Sequence, residues 1–293
     1  MKSLKHWLLA TRPKTLFASV APVVMGLSLA LAEAQLNYSI AAITLLAAVL
    51  IQIGTNFAND YYDFKKGADT QERLGPTRMT QAGLVSPQSM KWAFILTFAG
   101  AFGLGAYLAF IGGWPIVVVG ILSIVFGILY TGGPFALAYK GIADIFVLFF
   151  FGPIAVHGTY YLQTMNLTAW QPIVLGFSPG LLATAILVVN NLRDIDTDVK
   201  AGKMTLAVRM GRTFTQIQYT LLVGAALVLP AVIVLLESER WYSLIYLLAL
   251  PLVIVNIMAV FRTSEPRLLN PLLGKTALSL IIVCFLFAIG YQF

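Results

Sequence analysis

Long apolar stretches separated by short polar or glycine-containing intervals recur along the whole chain. Runs of about 18–25 residues, enough for a helix to cross a ~30 Å hydrocarbon layer, fall at 15–33, 39–59, 91–110, 114–131, 141–162, 172–192, 214–236, 242–261 and 273–291. Because backbone polar groups in lipid must be satisfied within each segment, the pattern predicts nine membrane-spanning helices and an all-α, polytopic fold. No small-residue cleavage site follows the first run, so a removed signal peptide is not expected.

Composition removes the alternative of a soluble fold. The 293 residues are 59% hydrophobic and 11% charged, where soluble domains carry roughly 45–50% apolar and about 25% charged residues. A net charge of +7 would suggest nucleic acid in a soluble protein. Here it follows topology instead, and no nucleic-acid partner is expected. With the N-terminus cytoplasmic, every Lys and Arg except Arg240 falls on the inner side. That asymmetry predicts a multi-pass protein of the cell membrane with Phe293 outside. The lone Cys284 permits no internal disulfide.

The acids are concentrated. Seven of twelve lie in two inner intervals, as Asp60, Asp63, Asp69, Glu72, Asp194, Asp196 and Asp198. At the end of the second run Asn56, Asn59, Asp60 and Asp63 stand at i, i+3, i+4 and i+7, one helical face. At the end of the sixth, Asn191, Asp194 and Asp198 share a face. An offset of 135 residues superposes Asn56 on Asn191, Asp63 on Asp198, Lys65 on Lys200 and Gly67 on Gly202. One domain spanning 1–293 is therefore expected, built of two related half-units that carry acidic ends at 56–69 and 190–203 around a central cavity opening near the cytoplasmic side.

Facing carboxylates near a bilayer repel and need cations between them. Hard oxygen donors suit Mg²⁺, which takes one or two carboxylates and completes its shell with water and phosphate oxygens. With Arg78 and Lys203 nearby, the two clusters describe a diphosphate site. Two alternatives stay open on residues alone: solvated helix ends paired with Lys65, Lys66 or Lys200, and the ion site of a cation-coupled transporter.

Asn59-Asp60-x-x-Asp63, followed by Asp194-x3-Asp198, resembles the paired aspartate-rich motifs of the UbiA superfamily of intramembrane prenyltransferases. Arg12-Pro13-Lys14, Gly75-Pro76-Thr77-Arg78, Tyr130-Thr131-Gly132-Gly133-Pro134 and Asn190 through Gly211 carry the likeness further. The resemblance implies a nine-helix enzyme that uses Mg²⁺ to move a polyprenyl group from polyprenyl diphosphate to an aromatic ring. It is strongest to the branch acting on 1,4-dihydroxy-2-naphthoate, with loss of CO₂ and diphosphate to give demethylmenaquinol in menaquinone synthesis. Acceptors such as 4-hydroxybenzoate or homogentisate remain open. Two departures stand out: Gly67 occupies a position where many members carry an acid, with Asp69 two residues later, and Asp144 stands where a Glu is expected.

On this footing Asp60, Asp63, Asp69, Asp194 and Asp198 are the candidate metal ligands. Asp63, Asp198 and Asp144 are the candidate catalytic residues. Asn59, Lys14, Arg78, Tyr130, Tyr139, Asn190, Asn191, Arg193 and Lys203 are the candidate substrate-binding residues. Lys14 and Arg193 serve equally well as positive-inside anchors, and Asp144 as a helix-capping charge. Tyr160 and Tyr161 are further candidate cavity liners.

Overall fold

A computed structural model describes residues 2–68, 74–237 and 240–293. Among these the regular structure is entirely helical. A short amphipathic α1 (Lys2–Ala10) precedes α2 (Pro13–Ala32), α3 (Tyr38–Lys65), α4 (Pro87–Gly112) and α5 (Trp114–Leu129). The second half comprises α6 (Ala143–Phe150), α7 (Pro153–Thr164), α8 (Gln171–Lys200), α9 (Leu206–Glu237), α10 (Leu250–Arg262) and α11 (Asn270–Gly290). Eight segments are long and apolar enough to cross a membrane, and α5 adds a shorter apolar helix of 16 residues at the place of the fourth expected span.

The helices depart from the expected spans where proline and glycine dictate. The fifth span, 141–162, is two helices, because Pro153 lacks an N–H and Gly152 turns the chain at φ −124°, ψ −114°. Gly152 is pressed against α8: a Cβ built on it would lie 2.7 Å from the Gly176 carbonyl oxygen and 2.9 Å from Gly180 Cα. The eighth span begins as a 3₁₀ helix over Trp241–Ala249 and becomes α-helical at Leu250, with Pro251 in its first turn. Within α9 the helix is interrupted at Gly211, whose φ of 82° favours glycine.

Two helices run beyond the membrane-length runs that predicted them. Both α3, at 28 residues, and α8, at 30 residues, stay helical through their acidic ends. Those ends therefore project as ordered turns instead of dissolving into loops. α3 packs on α2 and α4, α8 packs on α7 and α9, and α11 lies against both α2 and α8. The main core gathers Met25, Leu175, Leu182, Tyr219, Leu280 and Phe287, all fully buried, from α2, α8, α9 and α11. A smaller cluster around Phe57, Phe94 and Phe98 joins α3 to α4. Exposed Phe102, Phe110, Leu221 and Leu248 cover outward helix faces, as expected where the surrounding solvent is lipid.

Candidate active site

α3 brings Asn56, Asn59 and Asp63 to one face. Asn56 Nδ2 donates to the Thr11 carbonyl at 2.9 Å and to Thr15 Oγ1 at 3.0 Å, which ties α3 to the junction of α1 and α2. At that junction Arg12, immediately before Pro13, adopts a left-handed φ of 52°, uncommon for a residue other than glycine. Asn59 Oδ1 accepts the Thr131 hydroxyl at 2.8 Å, so the turn that follows α5 is fastened to the same face.

Asp63 is almost fully buried, and three donors converge on it. Arg78 Nη2 lies 2.7 Å from Oδ2; Lys203 Nζ lies 3.3 Å and the Tyr139 hydroxyl 3.1 Å from Oδ1. The Tyr139 ring is faced by two ammonium groups, Lys66 at 4.4 Å and Lys203 at 5.1 Å from its centroid. Lys66 in turn donates to the carbonyls of Thr131 at 2.7 Å and Gly133 at 3.1 Å. Partial burial pushes the Lys66 amine below its ordinary value; Asp63 pulls it up and Lys203 adds to the lowering.

α8 supplies the second acidic end. The fully buried Arg193 side chain grips Asp194 through Nε at 2.7 Å and Nη2 at 2.5 Å. It also donates to Asn270 Oδ1 and Asn190 Oδ1, each at 2.8 Å. Asn270 passes the connection on to the Leu74 carbonyl at 2.9 Å, and a Cβ on Gly75 would stand 2.7 Å from Arg193 Nη2. Asp198 lies within electrostatic reach of Lys203, Asp194 and Asp63.

The two ends meet across a cavity of about 1080 Å³. Its polar end carries Arg12, Lys14, Asn59, Asp63, Arg78, Asn190, Asn191, Asp194, Asp198 and Lys203. The remainder is walled by apolar residues of α2, α4, α5, α6 and α7, among them Val23, Ile121, Phe146 and Phe150, with Tyr130 also on the wall. Such a volume sits at the upper end of small-molecule sites and suits a long apolar ligand with one charged head.

Several expected site residues stand elsewhere. Both carboxylate oxygens of Asp60 accept backbone amides, from Met79 at 2.9 Å and Thr80 at 3.0 Å, so this residue anchors the loop after α3 and is absent from the cavity wall. Asp144, in the first turn of α6, accepts from Gln218 Nε2 on α9 at 2.7 Å and does not line the cavity either. Arg193 is consumed by internal partners, and Tyr139 reaches the site only through its hydroxyl and ring. Tyr160 donates to Glu33 at 2.7 Å and Tyr161 to the Gly112 carbonyl at 2.9 Å, both away from the polar end. Asp69 lies outside the described residues.

The roles of other contributors escaped the sequence reading. Asn270 opens an apolar helix with no motif around it, while Thr131 and Gly75 were read only as members of the motifs that carry the family resemblance.

Among the described residues no three of His, Cys, Asp and Glu are grouped to cage a metal unaided. The donors that line the cavity are nonetheless hard oxygens: Asp63, Asp194, Asp198, Asn59 and Asn191. A sparse carboxylate set of this kind suits Mg²⁺, which leaves part of its shell to substrate phosphate and water.

Comparison with known proteins gives a consistent result. Residues 19–281 match the UbiA prenyltransferase family. The chain is 37% identical to 1,4-dihydroxy-2-naphthoate octaprenyltransferase of Haemophilus influenzae over 99% of its own length and 96% of that protein's. It is 36% identical to the enzymes of the same name from Escherichia coli (97% and 94% covered) and Mycobacterium tuberculosis (96% and 95%). Its fold is shared with a UbiA homolog from Aeropyrum pernix K1, with a TM-score of 0.70, 14% identity, and 94% and 96% of the two chains covered. A UbiA homolog from Archaeoglobus fulgidus bound to GPP and Mg²⁺ gives a TM-score of 0.62 at 18% identity, covering 96% and 99%.

Proposed function

Since this chain belongs to the UbiA prenyltransferase family, we propose that it transfers a polyprenyl group from polyprenyl diphosphate to 1,4-dihydroxy-2-naphthoate, releasing diphosphate and CO₂ and giving demethylmenaquinol. The observation that carries this reading is the union of one apolar cavity with one charged end, where Asp63, Asp194 and Asp198 stand beside Arg78, Lys203 and Lys14. The names of the relatives supply the acceptor.

The head of the donor fits the polar end and its isoprenoid tail the apolar wall. Asp63, Asp194 and Asp198, with Asn59 and Asn191, would hold Mg²⁺, which when bound supplies positive charge to the departing diphosphate. Arg78, Lys203 and Lys14 offer further cations for that charge, preorganised where it develops. The allylic C–O bond breaks and its electron pair leaves with diphosphate. The apolar wall would keep water from the carbocation, and Tyr130 on that wall is an aromatic group available to stabilise it.

The two hydroxyls of the naphthoate make its ring electron-rich. Attack by the carboxyl-bearing carbon forms the new C–C bond; loss of the carboxylate as CO₂ returns an electron pair to the ring and restores aromaticity. No protein base has to remove a ring proton, which suits a site whose acids are paired with cations and whose wall carries no histidine among the described residues.

The test uses purified protein, a polyprenyl diphosphate and naphthoate labelled at the carboxyl carbon. Label should leave as CO₂ in step with product, and only when Mg²⁺ and donor are both present. Prenylated product that keeps the label would overturn the acceptor assignment while leaving prenyl transfer intact. We further propose that α2–α4 and α7–α9 are the two related half-units, supported by the matched packing of α3 and α8, and that the N-terminus is cytoplasmic and the C-terminus outside.

A further inference from the structure

Arg240 is the one cation that the topology assigns to the face opposite the aspartates, and prenyl transfer gives it no role. It lines a second pocket of about 390 Å³ together with Glu33, Tyr160, Gln171 and Tyr291. That size lies within the range of small-ligand sites. The pocket sits where α2, α7 and α11 end and α8 begins. Half-exposed Trp170 and Trp241 and exposed Tyr242 mark the same depth as the membrane interface, the level at which such rings gather beside lipid headgroups.

Opposite charges line this pocket. Glu33 accepts the Tyr160 hydroxyl at 2.7 Å; Arg240 donates to the Tyr291 carbonyl at 3.2 Å and lies 5.2 Å from the centroid of its ring. Among the described residues Glu33 and Arg240 form no ion pair with each other. The end of α11 next to Tyr291 is fastened to its neighbours: Gln292 Nε2 donates to Ser28 Oγ at 2.8 Å, and a Cβ on Gly290 would lie 2.1 Å from the Tyr242 carbonyl oxygen. A carboxylate and a guanidinium held apart in one interfacial pocket complement a ligand with an anion at one end and a cation at the other. Arg240 offers a forked donor to phosphate, and Glu33 offers an acceptor to the N–H groups of a primary ammonium.

We propose that this pocket binds the phosphoethanolamine headgroup of a zwitterionic phospholipid, with phosphate on Arg240 and ammonium on Glu33. The test is native mass spectrometry of the full chain in detergent, titrated with phosphatidylethanolamine, phosphatidylcholine and phosphatidylglycerol of equal acyl chains. Phosphatidylethanolamine should be retained above the other two. Glu33→Gln should cut its preference over phosphatidylglycerol by about five- to tenfold, the loss of one charge-assisted contact. Arg240→Gln should weaken all three lipids, and Arg240→Lys should recover part of that loss. Soluble phosphoethanolamine should compete if the headgroup alone is recognised; failure to compete while preference persists would assign the selectivity to intact lipid. Prenyl transfer at the opposite face reports on folding and should persist in each variant. Equal retention of the three lipids, an unchanged preference in Glu33→Gln, or joint loss of lipid binding and prenyl transfer would overturn the proposal.

Discussion

Arg193 holds the carboxylate of its own sequence neighbour, Asp194, by a two-pronged grip at 2.7 and 2.5 Å. Adjacent residues on a helix point about 100° apart, so this pairing exists only because the long guanidinium folds back along α8. Asn270 and Asn190 then fix its other edges.

Removing that guanidinium leaves Asp194 without its cation. Arg193→Met should lower stability by about 3–5 kcal/mol, the usual effect of breaking a buried pair from one side, read as a drop in the thermal midpoint in detergent. Arg193→Lys keeps the charge and loses the fork. It should stay folded, with a raised Mg²⁺ requirement and a reduced kcat.

Asp63 and Asp60 lie three residues apart and should behave differently. Asp63→Ala, and likewise Asp198→Ala, should cut turnover by roughly 10²-fold or more, because each faces the cavity. Asp63→Ala also takes the carboxylate from the buried Arg78 and should lower the thermal midpoint, so Asp63→Asn, which keeps a hydrogen-bond acceptor there, is the cleaner readout of turnover. Asp60→Ala strips two backbone amides of their acceptor and should cost about 1–3 kcal/mol of stability. Residual turnover in Asp60→Ala should keep the wild-type Mg²⁺ dependence. Equal effects of the two substitutions on that dependence would refute the division of labour.

Chelation should stop the reaction reversibly. With excess EDTA the rate should fall to background and return on adding Mg²⁺, and the helical circular dichroism should not change, since the acidic ends are held by Arg78, Lys203 and Arg193.

Topology is accessible to labelling. Tags inserted after Arg78 and after Lys203 should share one side of the membrane, and a tag at the C-terminus should lie on the other. Both loops report the face that carries the active site.

The break between α6 and α7 depends on close backbone approach. Gly152→Ala would place a Cβ 2.4 Å from the Leu148 carbonyl and 2.7 Å from that of Gly176, and should destabilise the protein by about 1–3 kcal/mol. Gly224 has open space at the same test; Gly224→Ala should be neutral or slightly stabilising, and a thermal melt distinguishes the two.

Hydrophobic run length carried most of the architecture, because lipid forces every spanning segment to satisfy its own backbone. The internal breaks were less legible: Pro153 was visible, but the turn at Gly152 also needs Gly176 and Gly180 on a helix far along the chain. In the site, helical spacing put Asn59 and Asp63 on one face and Asp194 and Asp198 on another, and all four line the cavity. Spacing could not separate Asp60 from Asp63, since both fall on the same broad face. What separates them is the loop from Leu74 to Val85, which folds back and presents its amides to one carboxylate and Arg78 to the other. Arg193 was hard to read for a related reason: its place in the second acidic end suggested phosphate, while its guanidinium donates to Asp194, Asn190 and Asn270, the last on another helix and itself tied to the Leu74 carbonyl.

At 16 residues, α5 spans about 24 Å, short of a ~30 Å hydrocarbon core. It also forms one wall of the large cavity, through Ile121, Phe126 and Gly127. Lipid beside it must compress, or the helix ends must draw headgroups inward, each at a modest elastic cost per ångström of mismatch. A helix of this length favours a thinner bilayer beside it, and it is one of the helices that line the cavity. A water-insoluble tail and a diphosphate that must stay at the surface have less distance between their preferred depths beside that helix.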